Sequence, residues 1–510
     1  MVDRDVFQSD SPAPPERGVF ANRTLNLRSV QAVGYDMDYT LIHYRVEEWE
    51  GAAFAYARDH LSKQGLPVES FTFEPEAFTI GLTFDLQLGN LIKPTRFGYV
   101  VRSQHGTKML DFDDQRRLYS ESVVELSEPR YEFMNTLFEL SRASLWTQLV
   151  ELHDRRPIGG VSGYVDLYRL VDEALTESHV GGALKDEIVA DPDRFVDPDP
   201  DVVQTLLDQR LAGKILLLIT NSDWAYTRQI MARIVDPFCP PGKTWRDLFD
   251  IVIVSANKPR FFQGSYPIYR VVDEEQSLLA PHRGPLEKGH VYFGGNARIV
   301  EESLGLSGGQ PLYVGDHLFG DVLVTKDVLR WRTALIAREL EAEILSVIAF
   351  DERQGQLEQL MVEKVAMDRR QAQLRLSSRR SGGGSVRREL DRISRQAMKL
   401  DQRIAPLAAA ASHLGNPNWG PLMRAGNDKS MFARQVERYA DVYTSRVSNL
   451  RYETPYGYLR AARGSLPHDA AAHHYDHEAD SRGLEPDIVD DIGAEADASG
   501  SDSPSSDQTP

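Results

Sequence analysis

This 510-residue sequence has almost no cysteine and no long apolar run, which argues against a disulfide-stabilised protein and against a membrane-spanning one. Cysteine occurs once, at Cys239, so no internal disulfide can form, and a reducing cytosol is the expected compartment. No apolar run approaches the ~20 residues that a helix needs to cross a bilayer, and the N-terminus lacks the apolar segment of a signal peptide. We therefore expect a cytoplasmic protein without a membrane partner.

Positive charge is also in deficit. The sequence has 58 Lys and Arg against 76 Asp and Glu, a formal charge of −18, and nothing in it indicates nucleic-acid binding. Much of the excess lies in residues 468–510, where twelve acidic residues accompany one arginine in a Ser- and Gly-rich background. This tail, and the polar, Pro-rich residues 1–18, have too little apolar surface to fold and are predicted to be disordered.

Short continuous apolar runs are the strongest structural signal that remains. Such runs are typical of parallel strands buried on both faces, and here they alternate with helical stretches, which favours an α/β fold with a Rossmann-like parallel sheet. The predicted strands are Ala32 to Tyr35, Lys214 to Ile219, Ile251 to Val254, Pro311 to Val314 and Thr333 to Ile336.

Polar residues of matching chemistry follow four of these runs. Because the carboxyl ends of parallel strands lie at one edge of a sheet, we expect these side chains to meet there. They supply carboxylates, hydroxyl and amide donors and a fixed cation, which is what phosphoryl transfer requires. The residues are Asp36, Asp38, Thr220, Asn221, Ser222, Lys258, Asp316 and Asp321.

Each residue alone has a simpler explanation. The D-x-D-x-T pattern from Asp36 is compatible with a solvated loop, and Thr220 with the N-cap of a helix. Lys258 alone resembles a surface lysine, and Asp316 alone a helix cap. Their occurrence as a set after successive strands favours the catalytic interpretation.

The chain between the first two strands is too long for an ordinary connection. We predict that residues 46–204 are a cap inserted into a core made of residues 19–45 and 205–340, with helices near Val46 to Gly65, Asn135 to Leu152, Gly163 to Leu175 and Ala183 to Val189. Residues 341–467 are predicted to hold a helical hairpin and a further helical region. Apolar residues of its second arm recur at steps of three and four, which indicates a packing or oligomerisation element. These are Leu390, Ile393, Ala397, Leu400 and Ile404.

Four motifs also carry a family resemblance. D-M-D-Y-T-L, T-N-S-D-W-A-Y-T, A-N-K-P-R-F-F and Y-V-G-D-H-L-F-G-D resemble, in this order, the signatures of the cytosolic purine 5′-nucleotidase family. That family lies within the haloacid-dehalogenase superfamily of Mg²⁺-dependent phosphotransferases. G-N-L-I-K, N-T-L-F and the late F-A-R-Q-V-E-R-Y-A-D-V-Y extend the likeness from about Val19 to Pro467.

The resemblance implies roles for the predicted site. Asp36 would be the nucleophile and form an aspartyl-phosphate, and Asp38 would be the general acid and base. Thr220, Asn221 and Lys258 would hold the phosphoryl oxygens, with Ser222 close by. Mg²⁺ would bind Asp36, the backbone carbonyl of Asp38, and Asp316, with Asp321 joined through water or as an outer acceptor.

The resemblance also implies substrate and effector residues. Phe138 would stack on the base, unless it is an ordinary core aromatic, and Asp172 and Lys185 would contact the nucleotide. Tyr168 stands where the family has an arginine, which leaves purine preference open. An activating purine nucleotide would bind a second site, unless the aromatics there belong to the core, and its matching positions are Asn135, Phe319, Gln435 and Tyr439.

We accordingly expect a Mg²⁺-dependent 5′-nucleotidase that hydrolyses purine nucleoside monophosphates such as IMP or GMP, with phosphotransfer to a nucleoside as a related reaction. The resemblance further implies a homo-oligomer, either a dimer or a tetramer. Two alternatives stay open: a phosphatase of another small phosphomonoester, and a non-catalytic nucleotide sensor or scaffold.

Overall fold

The computed structural model describes residues 12–180, 182–381, 384–462 and 464. Within these residues the strands are β1 Val19–Ala21, β2 Leu25–Asn26, β3 Ala32–Tyr35, β4 His43–Tyr44, β5 Thr83–Asp85, β6 Asn90–Pro94, β7 Val100–His105, β8 Lys108–Met109, β9 Tyr131–Phe133, β10 Val196–Asp197, β11 Ile215–Ile219, β12 Ile251–Val254, β13 Ile268–Asp273, β14 Leu278–Pro281, β15 His290–Gly294, β16 Pro311–Gly315, β17 Arg332–Ile336, β18 Arg424–Ala425, β19 Asp428–Lys429, β20 Val442–Thr444 and β21 Tyr458–Leu459.

Helices connect most of these strands. The α-helices are α1 Val46–Lys63, α2 Phe112–Tyr119, α3 Leu140–Arg155, α4 Tyr164–Val180, α5 Ala183–Ala190, α6 Pro192–Phe195, α7 Asp201–Leu211, α8 Trp224–Ile234, α9 Arg260–Gln263, α10 Ala297–Leu304, α11 Leu340–Ser381, α12 Gly384–Ser412, α13 Met431–Tyr439 and α14 Leu450–Glu453. The wider π turns are Leu318–Leu323 and Thr325–Leu329, and the 3₁₀ turns include Pro15–Arg17 and Leu137–Glu139.

A large sheet forms the centre of the fold, in the order β1-β20-β17-β16-β3-β11-β12-β15-β13-β14. The strands from β20 to β15 are parallel, and β1, β13 and β14 add antiparallel edges. Side chains of one strand alternate between two cores: Ile251 and Ile253 pack in one, Val252 and Val254 in the other. Burial on both faces explains the continuous apolar runs, and the predicted α/β class is confirmed.

The inserted segment forms its own layers. Strands β8-β7-β6-β5-β9 make an antiparallel sheet, and α1, α3 and α4 pack against one another. The segment leaves and re-enters the parallel core through β4 and β10, which pair antiparallel, with Tyr44 opposite Val196. Both ends of the insertion therefore leave the core at one place, close to the end of β3.

The helical hairpin is present as two long helices, α11 and α12, packed side by side. Ile393, Ala397 and Leu400 of the predicted seam are buried, and Lys364 Nζ lies 2.8 Å from an oxygen of Asp401 across the pair. Among the described residues, no helix has an apolar stretch long enough to cross a bilayer.

Residues 12–18 are structured, which the sequence does not predict. Residues 12–18 fall in the segment predicted to be disordered, yet Arg17 Nη2 donates to Ser448 Oγ at 2.8 Å and the Gly18 carbonyl accepts from Thr444 Oγ1 at 2.8 Å. These contacts with the β20 region hold the segment in place, so the prediction is wrong for residues 12–18. Residues 1–11 and the predicted disordered tail 468–510 lie outside the described residues.

Candidate active site

Four neighbouring strands deliver the predicted site residues to one edge of the central sheet. β3 lies between β16 and β11, with Tyr35 opposite both Val314 and Leu218, and β12 lies beyond β11. Because all four strands are parallel, the segments that follow them leave the sheet side by side. The strand order therefore explains why the predicted site residues lie at one edge of the sheet.

Asp36 is buried at the end of β3, and its two carboxylate oxygens have different surroundings. Oδ1 accepts from the Met37 backbone N–H at 2.8 Å and lies 2.8 Å from Lys258 Nζ. Among the described residues, no donor reaches Oδ2. Burial raises the pKa of Asp36 to about 6, although the Lys258 ammonium opposes that rise. Oδ1 is therefore held in place, whereas Oδ2 remains available to react.

Two further carboxylates lie beside Asp36. Oxygens of Asp36, Asp316 and Asp321 all lie within 4.8 Å of one another. Asp321 Oδ1 lies 2.8 Å from Lys258 Nζ, so that lysine bridges two of the three acids. A Cβ atom on Gly315 would lie 2.3 Å from Asp321 Oδ2, so only glycine lets Asp321 pack against the end of β16.

The third acid, Asp316, has no cationic partner among the described residues. Its oxygens accept from Thr40 Oγ1 at 3.4 Å and from Thr136 Oγ1 at 3.0 Å. Burial, followed by the charges of Asp36 and Asp321, raises its pKa well above the ordinary range. Three carboxylates, of which only two pair with a lysine, make an oxygen-only donor set with excess negative charge, which fits a hard divalent cation such as Mg²⁺.

Asp38 is held by two hydroxyl donors. Its Oδ1 accepts from Tyr44 Oη at 2.6 Å and its Oδ2 from Ser222 Oγ at 2.7 Å, while Tyr44 Oη lies 2.8 Å from Tyr226 Oη. Burial raises the pKa of Asp38, and the charge of Asp36 raises it further. The side chain is thus suited to carry a proton, which a general acid requires.

The residues after β11 and β12 form the opposite wall. Asn221 clamps the backbone of Lys258, since its Oδ1 accepts from the lysine N–H at 2.6 Å and its Nδ2 donates to the lysine carbonyl at 3.2 Å. Thr220 does not cap α8, whose N-cap is Asp223; its Oγ1 accepts from the Ser222 N–H at 3.0 Å. Lys258 is buried and so is not a surface lysine. Asn221 and Ser222 thus position other site residues.

A cavity of about 360 Å³ opens above these groups. Phe138 and Lys185 line it, as do Asp36 and Asp38. Phe138 is half-buried, with its ring centroid 4.7 Å from that of Tyr39, so it is a wall aromatic rather than a fully buried one. The volume is within the usual range for small-molecule sites.

Lys185 and Asp172 differ in how they relate to this cavity. Lys185 Nζ lies 3.5 Å from Ser222 Oγ and 3.4 Å from Asp223 Oδ2, next to the partners of Asp38. Asp172 is exposed and does not line the cavity; its Oδ1 accepts from Arg142 Nη2 at 2.8 Å. Its contact with a nucleotide stays a prediction.

Two residues of the site are not found from the sequence. Thr136 donates to Asp316. The sequence feature that could have identified it is its position in the motif N-T-L-F, between Asn135 and Leu137. Arg142 lines the cavity from α3, and no motif of the sequence singles it out.

A second cavity, of about 710 Å³, contains all four predicted effector residues in its lining: Asn135, Phe319, Gln435 and Tyr439. Phe319 is 45% exposed, so it is not a core aromatic, whereas Tyr439 is buried. The Phe319 N–H donates to Asn135 Oδ1 at 3.2 Å. Because Thr136 follows Asn135 and donates to Asp316, a two-residue segment touches both cavities.

Comparison with known proteins identifies a family that covers most of the chain. Residues 19–471 match the model of a family described as the 5′ nucleotidase family. A 5′-nucleotidase domain-containing protein of Dictyostelium discoideum is 25% identical over 472 residues, covering 91% of this chain and 77% of the relative. Among solved structures, a 2-haloacid dehalogenase from Pseudomonas syringae pv. Tomato DC3000 is 15% identical and covers 60% of this chain and 86% of its own, with a TM-score of 0.21.

Proposed function

The chain belongs to the 5′ nucleotidase family, and on that premise we propose that it is a Mg²⁺-dependent 5′-nucleotidase acting through an aspartyl-phosphate on Asp36. The observation that carries the proposal is the asymmetry of Asp36. Met37 and Lys258 hold Oδ1, and Oδ2 has no donor among the described residues, beside a cavity large enough for a small phosphomonoester. A sensor or scaffold would not need such a nucleophile.

The first step forms a bond between Asp36 Oδ2 and phosphorus while the bond from phosphorus to the ester oxygen breaks. Asp38 gives its proton to that leaving oxygen, and its raised pKa keeps the proton available. In the second step Asp38 takes a proton from water, whose oxygen attacks phosphorus, and Asp36 leaves as a carboxylate. A nucleoside hydroxyl in place of water would give phosphotransfer.

Fixed groups balance the charge of the transferred phosphoryl group. Lys258 cannot swing away, since Asp36, Asp321 and the Tyr313 hydroxyl, at 3.1 Å, surround its ammonium. Thr220 Oγ1 accepts from Ser222 and retains its own proton for a phosphoryl oxygen. Asp36, the Asp38 backbone carbonyl, Asp316 and Asp321 are the groups that would hold Mg²⁺. Bound there, the cation would neutralise the carboxylates and the phosphoryl oxygens.

The test is phosphate release from a panel of nucleoside monophosphates and sugar phosphates, with Mg²⁺ and with EDTA. We expect nucleotide hydrolysis that EDTA abolishes. Asp36→Asn should lose at least about 10³-fold in kcat, since the nucleophile is removed at constant size. Asp59→Asn, a change at an exposed acid of α1, is the matched control.

A folded Asp36→Asn protein with a tenth of wild-type activity would contradict the role of Asp36. Hydrolysis of sugar phosphates alone would favour the alternative phosphatase. The positions of Phe138 and Lys185 in the cavity wall support a nucleotide as the substrate. Phe138 would stack on the base, and we propose purine monophosphates such as IMP or GMP as the substrates.

The second cavity supports a further proposal, an activating purine nucleotide. A base stacked on the exposed ring of Phe319 would contact the turn Leu318–Leu323, which carries Asp321. We expect ATP to activate the wild type, and Phe319→Ala to lose activation while keeping its unliganded rate, with coupling of about 5- to 150-fold. No response of the wild type to any purine nucleotide would remove this proposal.

A further inference from the structure

One face of the long helix α11 is covered by its own chain. The buried side chains that mark this face are Phe350, Leu360 and Leu374. Lys364 lies on the same face, since its Nζ pairs with Asp401 of α12 at 2.8 Å. These positions follow one another at steps of ten, four and ten residues, which are about three turns, one turn and three turns at ~3.5 residues per turn. All four side chains therefore lie on one side of the helix.

The opposite face of α11 carries exposed apolar side chains. Ile348, Val362 and Leu376 each lie two positions from a buried residue of the covered face, which is about 200° around a helix. They recur at steps of fourteen residues, about four turns, so they form one line along α11, which Leu345 and Val365 extend. All five side chains are between 49% and 71% exposed. An exposed apolar line of this length, here called the α11 stripe, is typical of a surface that another protein covers.

The charges that flank the α11 stripe change sign near its middle. Four exposed acidic residues accompany one arginine in residues 351–363, whereas residues 369–380 contain five exposed arginines and no acid. Among the described residues, the ion pairs of this part of α11 are those of Lys364 with Asp368 and Asp401. The four acids and five arginines therefore have no ion-pair partner on their own chain within the described residues.

We propose that the α11 stripe is a dimer interface, in which α11 packs antiparallel against α11 of a second copy of this chain. Antiparallel order places the acidic half of each helix against the basic half of the other, whereas parallel order would place like charges together. A twofold axis that passes Val362 pairs the stripe with itself, as a symmetric dimer requires. Ile348 then lies opposite the partner's Leu376, since both are fourteen residues from Val362.

The same axis gives two acids on each helix a cation. Asp351 lies eleven residues before Val362 and Arg375 thirteen after it, which puts both on one flank of the stripe. Glu352 and Arg370, ten residues before and eight after, lie on the other flank. A twofold axis across two antiparallel helices keeps each flank on its own side. Asp351 therefore faces the partner's Arg375, and Glu352 faces the partner's Arg370, so the dimer contains each pair twice.

Sedimentation of the full chain at micromolar concentration tests the interface. We expect a mass of at least twice the 57.4 kDa of one chain. Val362→Glu puts two carboxylates at the axis and should raise the dissociation constant about 30-fold or more, the usual effect at the centre of an interface. Val272→Glu, at an exposed valine of β13, is the matched control and should leave the mass unchanged. If the wild type is a tetramer, Val362→Glu should reduce it to dimers.

Cysteine cross-linking tests the direction of the helices and does not depend on the glutamate variant. In a Cys239→Ser background, Val362→Cys should form a disulfide-linked dimer under mild oxidation, because its two thiols meet at the axis. Ile348→Cys and Leu376→Cys should each stay unlinked alone and become linked when the two proteins are mixed. Val272→Cys is the control and should stay unlinked.

Exchanging one charge pair tests the role of the flanks. Asp351→Arg and Arg375→Asp should each weaken the dimer about 2- to 10-fold, since each breaks two exposed pairs, and the double variant should restore the wild-type dissociation constant. A monomeric wild type, or a folded Val362→Glu protein with unchanged mass, would overturn the interface. Dissociation by Val272→Glu in place of Val362→Glu would also overturn it. Ile348→Cys linked to itself, or a double variant as weak as the two single ones combined, would overturn the antiparallel order.

Discussion

Lys258 and Lys93 are both buried, but their ammonium groups have partners of different charge. Lys258 lies at the edge of the parallel sheet between the carboxylates of Asp36 and Asp321. Lys93 lies on β6 of the inserted sheet and donates to three backbone carbonyls, those of Trp419, Gly420 and Pro421, at 2.7, 3.4 and 2.6 Å. The ammonium of Lys258 is paired with two carboxylates, whereas the hydrogen-bond partners of the Lys93 ammonium are uncharged carbonyl groups.

The difference appears in the pKa of each group. Burial lowers the pKa of a lysine, but Asp321 and Asp36 outweigh burial at Lys258 and raise its pKa well above the usual range. At Lys93 burial dominates, and the pKa falls to about 7 even though Glu343 opposes the change. Formal charge on the partners therefore decides whether a buried lysine is a permanent cation, which phosphoryl transfer needs, or a structural donor.

The largest expected effect comes from removing the permanent cation. Lys258→Met should lower kcat for phosphate release by about 10²- to 10³-fold, the usual cost of losing one fixed group that stabilises transition-state charge. Lys288→Met, at an exposed lysine, is the control. If a folded Lys258→Met protein kept a third of wild-type activity, the contrast between the two lysines would not extend to catalysis.

A smaller effect, on stability alone, is expected at Lys93. Lys93→Met leaves three carbonyls without their donor, and we expect the free energy of unfolding in urea to fall by about 1–3 kcal/mol. Because Lys93 does not line the active-site cavity, kcat should change less than about threefold. A loss of activity as large as that of Lys258→Met, at unchanged stability, would contradict the structural role.

The last expected effect is a pH dependence of stability that belongs to Lys93. Its folded pKa of about 7 lies below the unfolded value of 10.5, so between these values the unfolded chain binds more protons. Stability from this group therefore rises with pH from about 7 upward, by at most about 1.4 kcal/mol per pH unit. The stability difference between wild type and Lys93→Met should widen from pH 7 to pH 9; parallel curves would show that Lys93 does not titrate there.

The parallel core and its acidic edge are predictable because each strand carries its own signal. β3, β11, β12 and β16 are buried on both faces, so each appears as a continuous apolar run with its polar residues directly after it. Strand β20 is missed because it has only three residues and follows α13 in a segment assigned to helices. The exposed edge strand β14 is missed although its sequence, Leu-Leu-Ala-Pro, is apolar, because a four-residue run that ends in proline is a weak signal for a strand.

The cavity wall is harder to predict, because its residues acquire roles through distant partners. Arg142 depends on Tyr168 and Asp172, 26 and 30 residues away, on a different helix. Asp172 shows the converse: a resemblance in position indicates contact with a nucleotide, while the structure pairs the side chain with Arg142. Helical spacing places such residues on a face, but only the packing of α3 against α4 decides what that face meets.

Gly315 has a consequence for how sequence variants of this protein are classified. An alanine there would count as a conservative change, small and uncharged in both forms. Its methyl group would nevertheless take the space of Asp321 Oδ2, 2.3 Å from the Cβ position, and displace an acid that Lys258 also holds. A Gly315→Ala variant should therefore be classified together with substitutions of the site's acidic residues, because the site requires that residue 315 has no Cβ atom.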